Sequence, residues 1–149
     1  MNPIRYRYRT IEFGNSDVHL CTLRDRQQFS DENDAAATLG NSSANWLLFG
    51  VIWDSSKVLA NFMFEYEIDD KRILEVGCGM ALTSLMLNQR LADITTTDYH
   101  PEVERFLLNN VMLNQGRKIP FVRTGWGDAD SGLGKFDVVI GSDLLYESE

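Results

Sequence analysis

A chain of 149 residues suits one domain with one core, and 44% hydrophobic with 24% charged residues excludes a disordered or fibrous protein. Acidic residues outnumber basic ones by 22 to 14, and the net charge of -8 disfavours a DNA or RNA partner, because the global field repels a phosphate backbone.

Residues 4 to 13 and 18 to 24 alternate in polarity around the turn-rich "GNSD", which predicts a β-hairpin. Within it Arg5, Arg7 and Arg9 interleave with Tyr6 and Tyr8; such alternation reads as a strand with one solvated face, although it is also the one basic aromatic stretch that could meet nucleic acid. "SDENDAAATLG" has a cap, early acidic residues and a terminal glycine, so a short helix is expected there, and "NSSANW" reads as a loop. From Asp54 to Glu67 the stripe Leu59, Phe62, Met63 and Tyr66 predicts an amphipathic helix capped by Asp54 or Ser55.

Beyond Asp69 the short runs "RILEVG", "DITTTD", "IPFVRTG" and "FDVVIGSD" read as strands, with helical patterns between the first three. Leu82, Leu85 and Met86 form one buried stripe, and Val103, Phe106, Leu107 and Val111 another; Pro101 suits the first turn of the second helix and Gly116 its end. Alternating strands and helices imply an α/β chain with a parallel sheet covered on both faces. No apolar run approaches the roughly 20 residues that span a membrane. The opening "MNPIRYRYRT" lacks the apolar segment of a signal peptide, so a cytoplasmic protein without a membrane partner is expected. Cys21 and Cys78, far apart in sequence, suit reduced thiols and no metal site.

The sequence "ILEVGCGMALTS", residues 73 to 84, carries the chemistry. Gly77 and Gly79 follow a predicted strand and precede a predicted helix, so the backbone can turn tightly and a ligand can approach it closely. A dinucleotide fingerprint needs a glycine where Leu82 stands, and no Gly-Lys-Ser/Thr of a P-loop follows. Asp98 ends the next strand, where acidic residues of nucleotide folds hold a ribose; its other reading is a helix cap. Cys78 has no base placed for it and reads as a small buried residue, and His100 as a loop or helix-start residue.

"ILEVGCGMAL", "TTTDYHP" and "FDVVIGSDLLYE" resemble the first, second and fourth strand motifs of class I S-adenosylmethionine-dependent methyltransferases. "GVIWDSSKVLANFM", "TGWGD" and the tetrad "DLLY" are similar, more narrowly, to the seven-strand protein-lysine methyltransferases. The resemblance, which covers about residues 48 to 147, implies a Rossmann-like sheet behind an N-terminal hairpin and helix. Residues 1 to 52 would form that extension and residues 53 to 149 part of the cofactor-binding core of a single domain. It implies S-adenosylmethionine as cofactor, with Glu75, Gly77, Gly79 and Ala81 around its methionyl part, Asp98 on its ribose, Trp53 beside it and Trp126 near the adenine. Ala81 stands where many members have a third glycine. Asp143 and Tyr146 would face the incoming amine of a lysine in a protein substrate, or of a small molecule. The sequence stops after the fourth of seven expected strands, so a fragment of a longer product is expected, with the apolar strand at 136 to 141 as an edge for homodimer pairing. An inert cofactor-binding or dimerisation module is the reading from a different class.

Overall fold

The computed structural model describes residues 5–24, 50–125 and 132–142. The expected helix in "SDENDAAATLG", the loop "NSSANW", Trp126 and the tetrad residues Asp143 and Tyr146 lie outside the described residues.

Strands β1 (Tyr6–Phe13) and β2 (Ser16–Leu23) form the antiparallel hairpin, with Phe13 opposite Ser16. The connection is therefore two residues and not the four of "GNSD"; Gly14, at φ 58, takes the left-handed backbone that lets so short a loop match the strand twist. Phe13, Val18 and Leu20 are buried from this hairpin. The chain then runs through α1 (Asp54–Phe64), β3 (Arg72–Glu75), α2 (Leu82–Gln89), β4 (Asp93–Asp98), α3 (Val103–Leu113), β5 (Phe121–Arg123) and β6 (Val138–Ile140). The last four strands make one parallel sheet in the order β5-β4-β3-β6. Successive crossovers step outward from β3 to β5, and the chain then returns to the other side of β3. Strand order thus reverses between β3 and β6, where an open α/β sheet leaves a crevice at its carboxyl edge.

Several element details differ from expectation for identifiable reasons. Neither Asp54 nor Ser55 caps α1; Trp53 occupies the cap position, with no side-chain bond to the helix amides. The buried side of α1 is turned toward Ala60 and Met63, whereas Phe62 is 65% exposed and stacks on Tyr66 with ring centroids 5.9 Å apart. Helix α2 is buried all round from Leu82 to Asn88, not along a stripe, because α1 and, to a lesser extent, β2 pack on it as well as the sheet. Helix α3 buries the expected stripe, but Pro101 precedes its cap residue Glu102. At the other end Gln115, at φ 55, takes the left-handed position, and the amides of Gln115 and Gly116 donate to the carbonyls of Met112 and Val111. That is a Schellman closure with its glycine one place later than usual.

The hairpin docks through its backbone. The outer edge of β2 meets two asparagines one turn apart on α3: Asn110 accepts from the Cys21 amide at 2.7 Å and donates to its carbonyl at 3.2 Å. Asn114 does the same for His19 at 2.7 Å in both directions. Gln89 donates to the Asp17 carbonyl at 2.8 Å, and the Leu23 amide donates to the Gly50 carbonyl at 3.0 Å. A strand edge that would otherwise recruit another strand is thus closed by side chains. Among the described residues no helix is long and apolar enough to cross a membrane.

Candidate functional site

At the end of β3 the chain has to leave the sheet and enter α2 within six residues, and three of those take left-handed backbone: Gly77 at φ 58, Gly79 at φ 52 and Ala81 at φ 59. Glycine adopts this conformation freely; for Ala81 it costs on the order of 1 kcal/mol. The loop is tied to the sheet on both sides of β3. The Val76 amide donates to the Ile140 carbonyl on β6 at 2.9 Å, and the Cys78 amide donates to the Thr97 carbonyl on β4 at 3.0 Å. These bonds hold the turn open over the reversal point of the sheet.

Two carboxylates flank the turn and serve it differently. Asp98, partly buried at the end of β4, accepts from the Gly79 amide at 2.9 Å with Oδ2 and from the His100 amide at 3.0 Å with Oδ1. It does not cap α3; instead it joins the glycine turn to the start of the next loop. A carboxylate oxygen can accept from more than one donor, the chemistry that a ribose hydroxyl would need. Glu75 is buried beneath the turn, where Oε1 accepts from the Ser84 hydroxyl at 2.6 Å and from the Ser84 amide at 3.2 Å. Burial pushes its pKa up to about 7, against the opposing bonds from Ser84 and with a smaller push from Asp98. Its role in the geometry is to hold the first turn of α2 against β3. Ser84 was not foreseen, since nothing in a serine nine residues after a glutamate signals the contact.

Cys78 is buried within the loop, and desolvation, reinforced by Asp98 and Glu75, raises its thiol pKa well above the ordinary value. That state suits packing and not nucleophilic attack. His100 is buried, and its Nδ1 accepts from the Glu102 amide at 3.1 Å, the helix-start role read from the sequence.

Trp53 reaches the same edge of the sheet by another route. Its carbonyl accepts from the Ser56 and Lys57 amides as α1 begins, and the Ser56 hydroxyl lies 3.3 Å from that of Ser142, two residues past β6. Ser142 immediately precedes the "DLLY" tetrad in sequence. On the far side, the Thr124 amide donates to the Asp98 carbonyl at 3.1 Å, and Gly125 packs so closely on the Tyr99 ring that an added Cβ would sit 3.0 Å from it. Gly125 immediately precedes Trp126. Of the expected site residues, Gly77, Gly79 and Ala81 therefore share one turn, Glu75 and Asp98 flank it from the ends of β3 and β4, and Trp53 stands at the start of the helix tied to the β6 end.

A parallel sheet with a glycine turn at its reversal point and an acidic residue ending the next strand is the architecture of Rossmann-like nucleotide folds, which class I methyltransferases share. Residues 33–149 match the family model described as lysine methyltransferase, so the chain belongs to that family. It is 32% identical over 133 residues to the protein N-lysine methyltransferase METTL21A of Danio rerio, covering 79% of this chain and 61% of that protein. It is 33% identical over 102 residues to the histidine protein methyltransferase 1 homolog of Dictyostelium discoideum, covering 64% of this chain and 33% of that protein. A third relative, the EEF1A lysine methyltransferase 3 of Mus musculus, is 26% identical over 100 residues, covering 64% and 43%. The chain thus spans between a third and three fifths of the length of these relatives.

Proposed function

We propose that the protein binds S-adenosylmethionine in the crevice between β3 and β6 and directs methyl transfer to a nitrogen of a protein substrate, with lysine as the acceptor. The observation that carries this reading is the Asp98 carboxylate held 2.9 Å from the Gly79 amide, which joins a group suited to ribose hydroxyls to the glycine turn. When bound, the cofactor supplies a methyl group activated by a sulfonium. Gly77, Gly79 and Ala81 leave space for the methionyl part, Glu75 keeps that turn in place, and Asp98 accepts from the ribose hydroxyls. By the family resemblance Trp53 would stand beside the cofactor and Trp126 would serve its adenine. Asp143 and Tyr146 orient the incoming nitrogen by hydrogen bonds, because an in-line displacement asks mainly for alignment of a neutral amine with the methyl carbon.

Histidine is the second acceptor to test, given the relative named as a histidine protein methyltransferase. Small amines and an inert cofactor-binding module are the remaining readings. Calorimetric titration with S-adenosylmethionine and its demethylated product is expected to show binding, and labelled methyl transfer to protein extracts should yield methyl-lysine on hydrolysis. Methyl-histidine or methylated small amines instead would replace the acceptor. No binding by a folded sample would sink the cofactor assignment.

The reading takes residues 53 to 149 as the cofactor-binding part of one cytoplasmic domain. It also includes pairing of two copies along 136 to 141, where Val139 on β6 is 60% exposed. Light scattering should then report twice the 17.0 kDa chain mass; a folded monomer would end the pairing proposal.

A further inference from the structure

The hairpin has two outer edges, and the structure treats them unequally. The Arg24 amide donates to the Arg5 carbonyl at 3.0 Å, so the pairs Arg7/Thr22, Arg9/Leu20 and Ile11/Val18 exchange the ladder bonds between the strands. Residues 17, 19, 21 and 23 of β2 and residues 6, 8, 10 and 12 of β1 then point their backbone groups outward. On β2 that outward row is taken by Gln89, Asn114, Asn110 and Gly50. On β1 no described residue bonds to the outward groups of Tyr6, Tyr8, Thr10 or Glu12, although Tyr8 is 72% exposed. Closing one edge and leaving the other open is the arrangement of a strand acceptor.

The first half of the open edge is basic, with Glu12 the acidic residue at its far end. Arg5, Arg7 and Arg9 fall two residues apart, on one face of β1 at a spacing of roughly 7 Å. Arg5 and Arg7 are exposed, and the only ion pairs among the described residues are Arg72 with Asp93 and Arg105 with Glu102. Three arginines within five residues of a chain with net charge -8 form a local patch whose natural complement is acidic. The patch also starts near the site. Leu23, beside the Arg5–Arg24 pair, is bonded to Gly50, and Gly50 lies three residues before Trp53, a reach of about 10 Å at most.

We infer that β1 is a docking strand for the protein substrate. An extended acidic segment adds to its open edge through the outward backbone groups of Tyr6, Tyr8 and Thr10, its carboxylates facing Arg5, Arg7 and Arg9, and thereby leads its acceptor residue toward the crevice. This rests on the protein-methyltransferase reading, but it can fail without that reading failing.

The test uses the chain as it stands and a fluorescein-labelled ten-residue peptide that alternates Glu with Val or Thr around one Lys. Fluorescence anisotropy should show saturable binding that weakens with salt, and the Arg5→Ala, Arg7→Ala, Arg9→Ala triple variant should bind about tenfold more weakly. Tyr8→Pro removes an outward donor without removing a bond to β2, so it should weaken binding while circular dichroism retains the fold. The same peptide with N-methylated backbone at alternate residues should bind poorly, which separates strand addition from simple charge attraction. Equal binding of a charge-reversed peptide, no response to either variant, no peptide binding at all or preferential binding of an oligothymidine would each overturn the inference. Titration of both variants with S-adenosylmethionine, unchanged from the parent, keeps that outcome apart from failure of the cofactor assignment.

Discussion

Replacing Asp98 with alanine is expected to lower the affinity for S-adenosylmethionine by about a hundredfold, the loss of two hydrogen bonds from ribose hydroxyls to a charged acceptor. The same change unties two backbone amides, since Asp98 accepts from Gly79 and His100 at 2.9 and 3.0 Å. Some of the lost affinity could therefore come from a looser turn and not from a missing ribose contact. The two causes separate with a ligand lacking one ribose hydroxyl. If Asp98 holds the ribose, the parent protein distinguishes the demethylated product from its 2′-deoxy analogue, and Asp98→Ala binds both alike. If the variant keeps the discrimination, the hydroxyl contact belongs to another residue and Asp98 acts only through the turn. Asp98→Asn is a poorer probe, because its amide would present a donor to one of the two amides that now donate to it.

How the site was legible follows from the range of the interactions involved. The strand at 93 to 98 is a run of β-branched residues buried on both faces and the stripe of α3 a pattern of period 3.6; both are local signals, and the structure reproduces them. Gly77 and Gly79 were legible because the backbone they adopt is one that few other residues tolerate. At the end of α3 Gly116 closes the helix as read, but the left-handed position falls on Gln115, which no local signal marked. What lay beyond reach were contacts between segments far apart in sequence. The all-round burial of α2 depends on α1 and on β2, the latter about sixty residues earlier, and the ties of Asn110 and Asn114 to Cys21 and His19 cross 89 and 95 residues. Asparagine on a helix ordinarily reads as neutral surface, so no pattern announces that this pair closes a strand edge. The unequal edges of the hairpin, and with them the docking role of β1, emerge only once that closure is seen.

Glu75→Gln should remove a pH dependence built into the turn. With its pKa raised from 4.5 to about 7 by burial, the folded protein keeps the Glu75 proton over a range in which the unfolded chain releases it. The unfolded state then binds fewer protons than the native state, so Glu75 costs stability progressively as pH rises from about 4.5 to 7, and its full contribution is present only below that window. The shift corresponds to about 3 kcal/mol. Glutamine can still accept from the Ser84 hydroxyl and amide, and it has no proton to lose. Urea denaturation at pH 4.5 and pH 8 should therefore show the stability difference between variant and parent moving in favour of the variant by up to about 3 kcal/mol. A difference independent of pH would mean that Glu75 does not titrate in the folded chain. The same carboxyl gives the cofactor reading a second handle. A sulfonium close to Glu75 favours its charged form, so affinity for S-adenosylmethionine should rise with pH through 7 while that for the demethylated product, whose sulfur is uncharged, stays flatter. Glu75→Gln should abolish that contrast, and a contrast that persists in the variant would assign the pH sensitivity to a different group.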